Sequence, residues 1–244
     1  MKKQLLFLFI IISICKNSSA QNQLRSIEEL TKDTSGWGIL KSEVNAANNK
    51  CEILPAKVEQ AKQALQQTQV TTHSIMGALI YFTGGILIDN GWIRLLGSGS
   101  DKLSRSLPGW NKGKTFKEYG ESPGYLFIGD DAIGGFFAIN GGTLGTDLGN
   151  IYYLAPETLK WQSLNMGYYD FFQFCLNGDL NTFYKKYRWK NWEKDISKLN
   201  GDKVYNFYPY LWSAEGQDMK KIFRNIVSIE EQYNFNIEAM KKIK

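Results

Sequence analysis

The sequence has one histidine, His73, and three cysteines, Cys15, Cys51 and Cys175, in 244 residues. Structural zinc takes four ligands drawn mostly from Cys and His, so a repeated zinc motif has too few residues to draw on, and no metal site is expected. The shortage of imidazole also narrows proton-transfer chemistry near neutral pH, because His is the one side chain whose ordinary pKa lies there. No D-x-D-x-D-G calcium loop occurs, and Gly97-Ser98-Gly99-Ser100 lacks the Lys that a phosphate loop places after its glycines. These gaps leave no cofactor to expect. The chain also lacks an apolar run of the roughly 20 residues that a spanning helix needs.

One short apolar run stands at the N-terminus. Lys2-Lys3, then Leu5 to Ile12, then Ser18-Ser19-Ala20 have the basic, apolar and small-residue order of a secretory signal peptide. Cleavage is expected after Ala20, which makes the protein exported, periplasmic or secreted. Removing residues 1–20 takes away Lys2, Lys3 and Lys16 and no acid, so the formal charge falls from +5 to +2. The basic balance is therefore largely the leader's, and it does not argue for a nucleic-acid partner. Cys51 and Cys175 remain. Each has apolar neighbours, as buried free thiols commonly do, although an oxidising compartment would also permit them to pair.

What the chain does have is apolar and aromatic residue in quantity, 43% and 14% of the total. Residues 24–69 read as helical. Ser26 and Glu29 have capping-box spacing, Trp37, Leu40 and Val44 recur at helical intervals, and Pro55 opens a further segment. From Val70 the texture becomes β-rich. Ala78–Phe82, Ile86–Ile88 and Trp92–Leu96 are separated by glycine and Asn-Gly turns, and Tyr125–Ile128, Gly135–Ile139, Ile151–Leu154 and Leu159–Trp161 follow a long loop. Helical texture returns beyond Gly167 and ends in an amphipathic segment from about 228 to 243. Helices, an antiparallel meander and helices again predict an α+β fold, with 21–244 forming a single domain.

Several residues qualify as candidates for function. Asp130-Asp131 is an acidic pair beside Gly134-Gly135. Paired carboxylates can divide acid and base roles, but neighbouring acids in such a turn mostly bond their own backbone. Gly97-Ser98-Gly99-Ser100 reads as a solvated loop, with Lys102 and Arg105 near enough for some anion contact. Tyr168, Tyr169, Tyr184, Tyr187, Trp189 and Trp192 crowd one region. Helical spacing assigns many of them to a core. If the helix from Asp179 runs through Trp192, however, they cannot all point inward, and some would form a surface for a protein partner.

Arg25-Ser26-Ile27-Glu28-Glu29-Leu30, Gly91-Trp92-Ile93-Arg94-Leu95-Leu96-Gly97-Ser98-Gly99, Leu107-Pro108-Gly109-Trp110-Asn111 and Tyr152-Tyr153-Leu154-Ala155-Pro156 resemble the bacterial family labelled domain of unknown function 2625 (DUF2625). That likeness extends over about residues 24–235 and implies a family without an activity. Gly134-Gly135-Phe136-Phe137-Ala138-Ile139-Asn140, followed by Gly149-Asn150-Ile151-Tyr152-Tyr153, is similar to the central hairpin of SUKH domains (the Smi1/Knr4-like superfamily). This second resemblance implies an α+β fold and, because many bacterial members neutralise toxins by binding them, a protein-binding role. The expectation is an exported, non-enzymatic interaction domain. The alternatives are an envelope or carbohydrate-binding module and a hydrolase using Asp130 or Asp131 with His73.

Overall fold

A computed structural model describes residues 24–242; the expected leader, its cleavage point and Cys15 lie outside the described residues. The chain begins with α1 (Ile27–Leu30) and α2 (Ser35–Asn45), then β1 (Cys51–Pro55), α3 (Val58–Thr68) and α4 (Ile75–Phe82). The expected capping box is present, with the Ser26 hydroxyl accepting from the Glu29 amide and Glu29 from the Ser26 amide. A meander follows: β2 (Thr83–Ile88), β3 (Ile93–Leu96), a short helix α5 (Leu107–Asn111), β4 (Tyr125–Asp131), β5 (Phe136–Asn140), β6 (Ile151–Ala155) and β7 (Lys160–Ser163). The strands pair in chain order, β1 to β7, and every pairing is antiparallel. Beyond the sheet lie α6 (Tyr168–Asn177), α7 (Leu180–Phe183), α8 (Trp192–Ile196), a second sheet of β8 (Lys203–Tyr208) and β9 (Phe223–Ser228), and α9 (Ile229–Lys242). The protein is a single mixed α+β body.

Three local expectations are corrected. Cys51–Pro55 is a strand inside the segment read as helical, because β2 supplies it with a partner in register from Cys51↔Ile88 to Leu54↔Gly85; long-range pairing overrides local propensity. Ala78–Phe82, read as strand-like, belongs to α4, whose Ser74 cap accepts from the Gly77 amide at 3.0 Å. Ile75 and Gly77–Ile80 are all buried, and a helix apolar on every side has no periodicity to distinguish it from a strand. Residues 97–100, read as a solvated loop, are buried. There the backbone of Gly97 lies so close to that of Thr83–Gly85 that an added Cβ would come within 2.6 Å of it. Glycine at this point serves strand packing, and no phosphate cradle is formed.

Alternation along the strands divides the core into two layers. Phe136 faces Trp110 of α5 and Tyr233 of α9, with ring centroids 6.2 and 5.6 Å away. Its neighbour Phe137 turns to the other side, onto Tyr153 and Phe171 of α6, each at 4.8 Å. The meander is thus covered on both faces over its central strands, which explains why β6 is buried along its whole length.

Candidate functional site

The acidic pair is divided by the same alternation. Asp130 points to the Trp110 side and Asp131 to the Tyr153 side, and both are fully buried. Asp130 faces Arg94 across the β3–β4 ladder. It accepts from Arg94 Nε at 2.6 Å and from Arg105 Nη1 at 2.6 Å. Arg105 continues to Asp202 Oδ1 at 3.0 Å and to the Gly201 carbonyl at 2.8 Å. Burial works against the charge of Arg105, but Asp130 and Asp202 outweigh it and raise its pKa. Its expected contact with an anion is therefore made within the protein, to two carboxylates.

Asp131 closes the β4–β5 turn. Its Oδ1 accepts from the Ile133 and Gly135 amides at 3.1 and 2.8 Å, and its Oδ2 accepts from the hydroxyls of Tyr153 and Tyr184 at 2.6 and 3.1 Å. Burial pushes its pKa up, against the pull of those donors and of Arg94. The expected turn role is visible, extended by two tyrosines that lie distant in sequence.

His73 shares none of these contacts. It is exposed, and its Nδ1 lies 2.9 Å from Asp33 Oδ2 and 3.0 Å from Ser35 Oγ. A triad needs the acid on one ring nitrogen and the nucleophile on the other; here both meet the same nitrogen. The structure does not bring together the three residues of the hydrolase reading. Cys51 and Cys175 are free thiols, and burial pushes Cys51 up to about 11. Among the described residues, no group of three or more His, Cys, Asp or Glu is placed to hold a metal ion, and no helix is long and apolar enough to cross a membrane.

A cleft of about 480 Å³ opens beside Arg105, lined in part by Ser104, Trp110, Lys114, Asp202 and Glu230. Trp110 is buried and has no open face to stack on a ligand. Lys114 sits 4.1 Å and Arg105 4.8 Å from its ring centroid, and Phe136 lies nearly parallel to it. Lys114 pairs with Glu230 at 3.0 Å, so the charges here answer one another.

The expected aromatic surface at residues 168–192 is largely corrected. Tyr184, Tyr187 and Trp192 are buried; Tyr168 and Trp189 are half-buried. Only Tyr169 is exposed, its hydroxyl donating to Glu43 Oε1 at 3.2 Å. The helix expected to run through Trp192 instead stops at Phe183, and α8 begins only after Asn191 in the left-handed region (φ 66°). Because the chain turns there, side chains that a continuous helix would splay all converge on Trp92. Tyr184, Trp189 and Trp192 lie 5.3, 5.7 and 5.1 Å from its ring, and Arg188 caps Trp192 at 4.0 Å. Tyr187 is turned toward Glu157; burial and then that carboxylate push its phenol well up.

Exposed aromatic and apolar surface gathers instead on the β8–β9 hairpin. Tyr208 and Phe223 are cross-strand partners, 60% and 72% exposed, and Ile226 is 57% exposed. On the face opposite Tyr208 and Phe223, which Ile226 shares, Arg224 covers Trp189 at 4.4 Å, and Trp189 meets Tyr205 edge-on at 5.0 Å. Beyond Tyr208, Tyr210 stacks on Trp212 at 5.1 Å. Of the residues expected to form a partner surface, Trp189 alone reaches this region.

The architecture defines an α+β protein with a sequential seven-stranded meander, a buried Arg–Asp network and a separate exposed hairpin. The chain belongs to the family described as protein of unknown function DUF2625, whose model matches residues 27–232. It is similar to an uncharacterized protein of Haemophilus influenzae, 42% identical over 220 residues that cover 90% of this chain and 96% of that one. It is also similar to the putative uncharacterized protein YbfG of Escherichia coli K12, 42% identical over 217 residues, 89% and 95% of the two chains. No solved structure matches it.

Proposed function

We propose that this protein is an exported, non-enzymatic interaction module that binds another protein through the β8–β9 hairpin. The observation that supports this reading is the cross-strand pair Tyr208 and Phe223, side by side on one face of the hairpin and both largely exposed. Large aromatic side chains exposed side by side, one of them Tyr, have the composition of an interface patch. The protein-binding role implied by the SUKH resemblance agrees with this reading. The buried acids support it differently: Asp130 and Asp131 are occupied by partners of their own and open to no substrate.

The test is capture from an envelope extract with the wild-type chain and with Tyr208→Ser and Phe223→Ser. The expected result is a protein retained by the wild type and lost from both variants, whose thermal melts match the wild type. An identical set of captured proteins for all three chains would overturn the reading. A glycan array that gave a signal abolished by Phe223→Ser would move the assignment to a carbohydrate-binding module.

A further inference from the structure

We propose that the outer edge of β9 receives an extended acidic segment of a partner protein as a third strand of the hairpin sheet. This rests on the interaction-module reading and goes beyond it by naming the mode of binding and the chemistry of the partner.

The direction of the peptide groups carries the first part. The Tyr205 amide donates to the Ala132 carbonyl at 2.8 Å, outside its own hairpin. Tyr205 faces Ile226 in the register. In an antiparallel ladder, residues directly opposite either exchange both peptide bonds or turn both pairs outward, and the two kinds alternate. Tyr205 is turned outward, so Ile226 is as well, and two residues away Arg224 follows the same alternation. The pair Asp202 and Ile229 fits this phase: the Ile229 amide donates inward to the Asp202 carbonyl at 3.0 Å. The peptide groups of Arg224 and Ile226 thus point away from β8, where no further strand of the described residues pairs with them. An open edge flanked by exposed apolar side chains is a template for another strand.

Charge decides what kind of strand. Residues 219–229 contain Lys220, Lys221 and Arg224 and no acid, and β8 adds Lys203 without an acid of its own. Among the described residues Arg224 has no carboxylate partner, and it lies over the Trp189 ring instead. Lys221 makes an exposed contact of 3.5 Å to Asp218. A second copy of the chain would add another set of these bases and no carboxylate from its own β9. An acidic extended segment satisfies the edge and the bases together.

Fluorescence anisotropy of a labelled decapeptide alternating valine and glutamate, titrated with the full chain, tests this directly. It is expected to bind about tenfold tighter than a valine–lysine decapeptide, as several exposed ion pairs would give together. N-methylation of alternate residues of the acidic peptide, which keeps its charge and removes its donors, is expected to abolish binding. Arg224→Glu is expected to remove the preference for the acidic peptide. Should that variant fail to fold, the N-methylated peptide on the wild-type chain still decides the matter. Equal binding of the acidic and basic peptides, or acidic binding indifferent to N-methylation, would overturn strand addition. Sedimentation showing a dimer that excludes the peptide would assign the edge to a second copy. If the peptides fail while Phe223→Ser still abolishes capture from extract, the interaction module stands and strand addition falls.

Discussion

Residues 168–196 and the hairpin 203–228 are both rich in aromatic side chains, and they use them in opposite ways. In the first region, three short helices turn sharply enough to aim Tyr184, Trp189 and Trp192 at Trp92, which is fully buried. In the second, two strands pair only with each other, and α9 covers only part of one face. Tyr208, Phe223 and Ile226 are consequently left in solvent. An aromatic becomes core or surface according to how many layers of chain pass over it; abundance in the sequence does not decide it. A two-stranded sheet has little with which to bury its own faces, so its apolar residues either meet a partner or remain a liability.

This contrast can be broken most severely through the buried charges. Asp130→Ala leaves Arg94 without its carboxylate at a position 1% exposed, which is expected to cost about 3–5 kcal/mol because an unpaired buried charge keeps its desolvation penalty. Calorimetry should show the melting temperature falling by about 10 °C or more; a fall of only a degree or two would mean that water reaches the pair. Next in size, Trp192→Ala removes a ring packed on Trp92 and capped by Arg188, and should lower stability by about 3 kcal/mol in denaturant titration. If it instead left stability intact and abolished partner capture, the two regions would have exchanged roles.

Phe223→Ser should change stability by no more than about 0.5 kcal/mol, as is usual for a surface position, while removing partner binding. A loss of several kcal/mol would show that the hairpin face is covered within the protein itself. The smallest effect concerns the loop between β5 and β6. Asp147 accepts from the Tyr152 hydroxyl at 2.5 Å, and from Ser163 and Asn150 at 2.9 and 3.0 Å. The Tyr152 bond is the main cause that brings its pKa from 3.8 to about 2. Since the folded state holds this proton less tightly than the unfolded chain, the contribution is full above about pH 4 and is lost as the pH falls through about 2. Hydrogen-exchange protection of the Gly142 and Leu144 amides, both bonded to Asn140 Oδ1, should fall in that window while the protection of β4 and β5 persists. Protection unchanged down to pH 2 would separate the loop from this carboxylate.

The strand turns from Gly91 onward and the antiparallel order of the meander were legible because glycine, asparagine and alternating apolar residues sit where tight connections require them. The Asp131 turn was equally legible, since its bonds to Ile133 and Gly135 are local. Other features could not be read. Strand β1 exists only through β2, and α4 lost its period because every side of it is buried. Arg94, inside the apolar run Ile93–Leu96, was noticed only as part of a family stretch; its role depends on Asp130, 36 residues away. The hairpin was missed because its exposure depends on what fails to pack over it, and no local pattern records that.

By itself the sequence determined the class of fold and the family, because those follow from residue types and short spacings. Tertiary structure alone decided which aromatics are core and which are surface, that adjacent acids serve opposite faces of one strand, and where an open edge remains. Burial and pairing are properties of segments brought together from far apart, and the chain's order does not contain the distances between them.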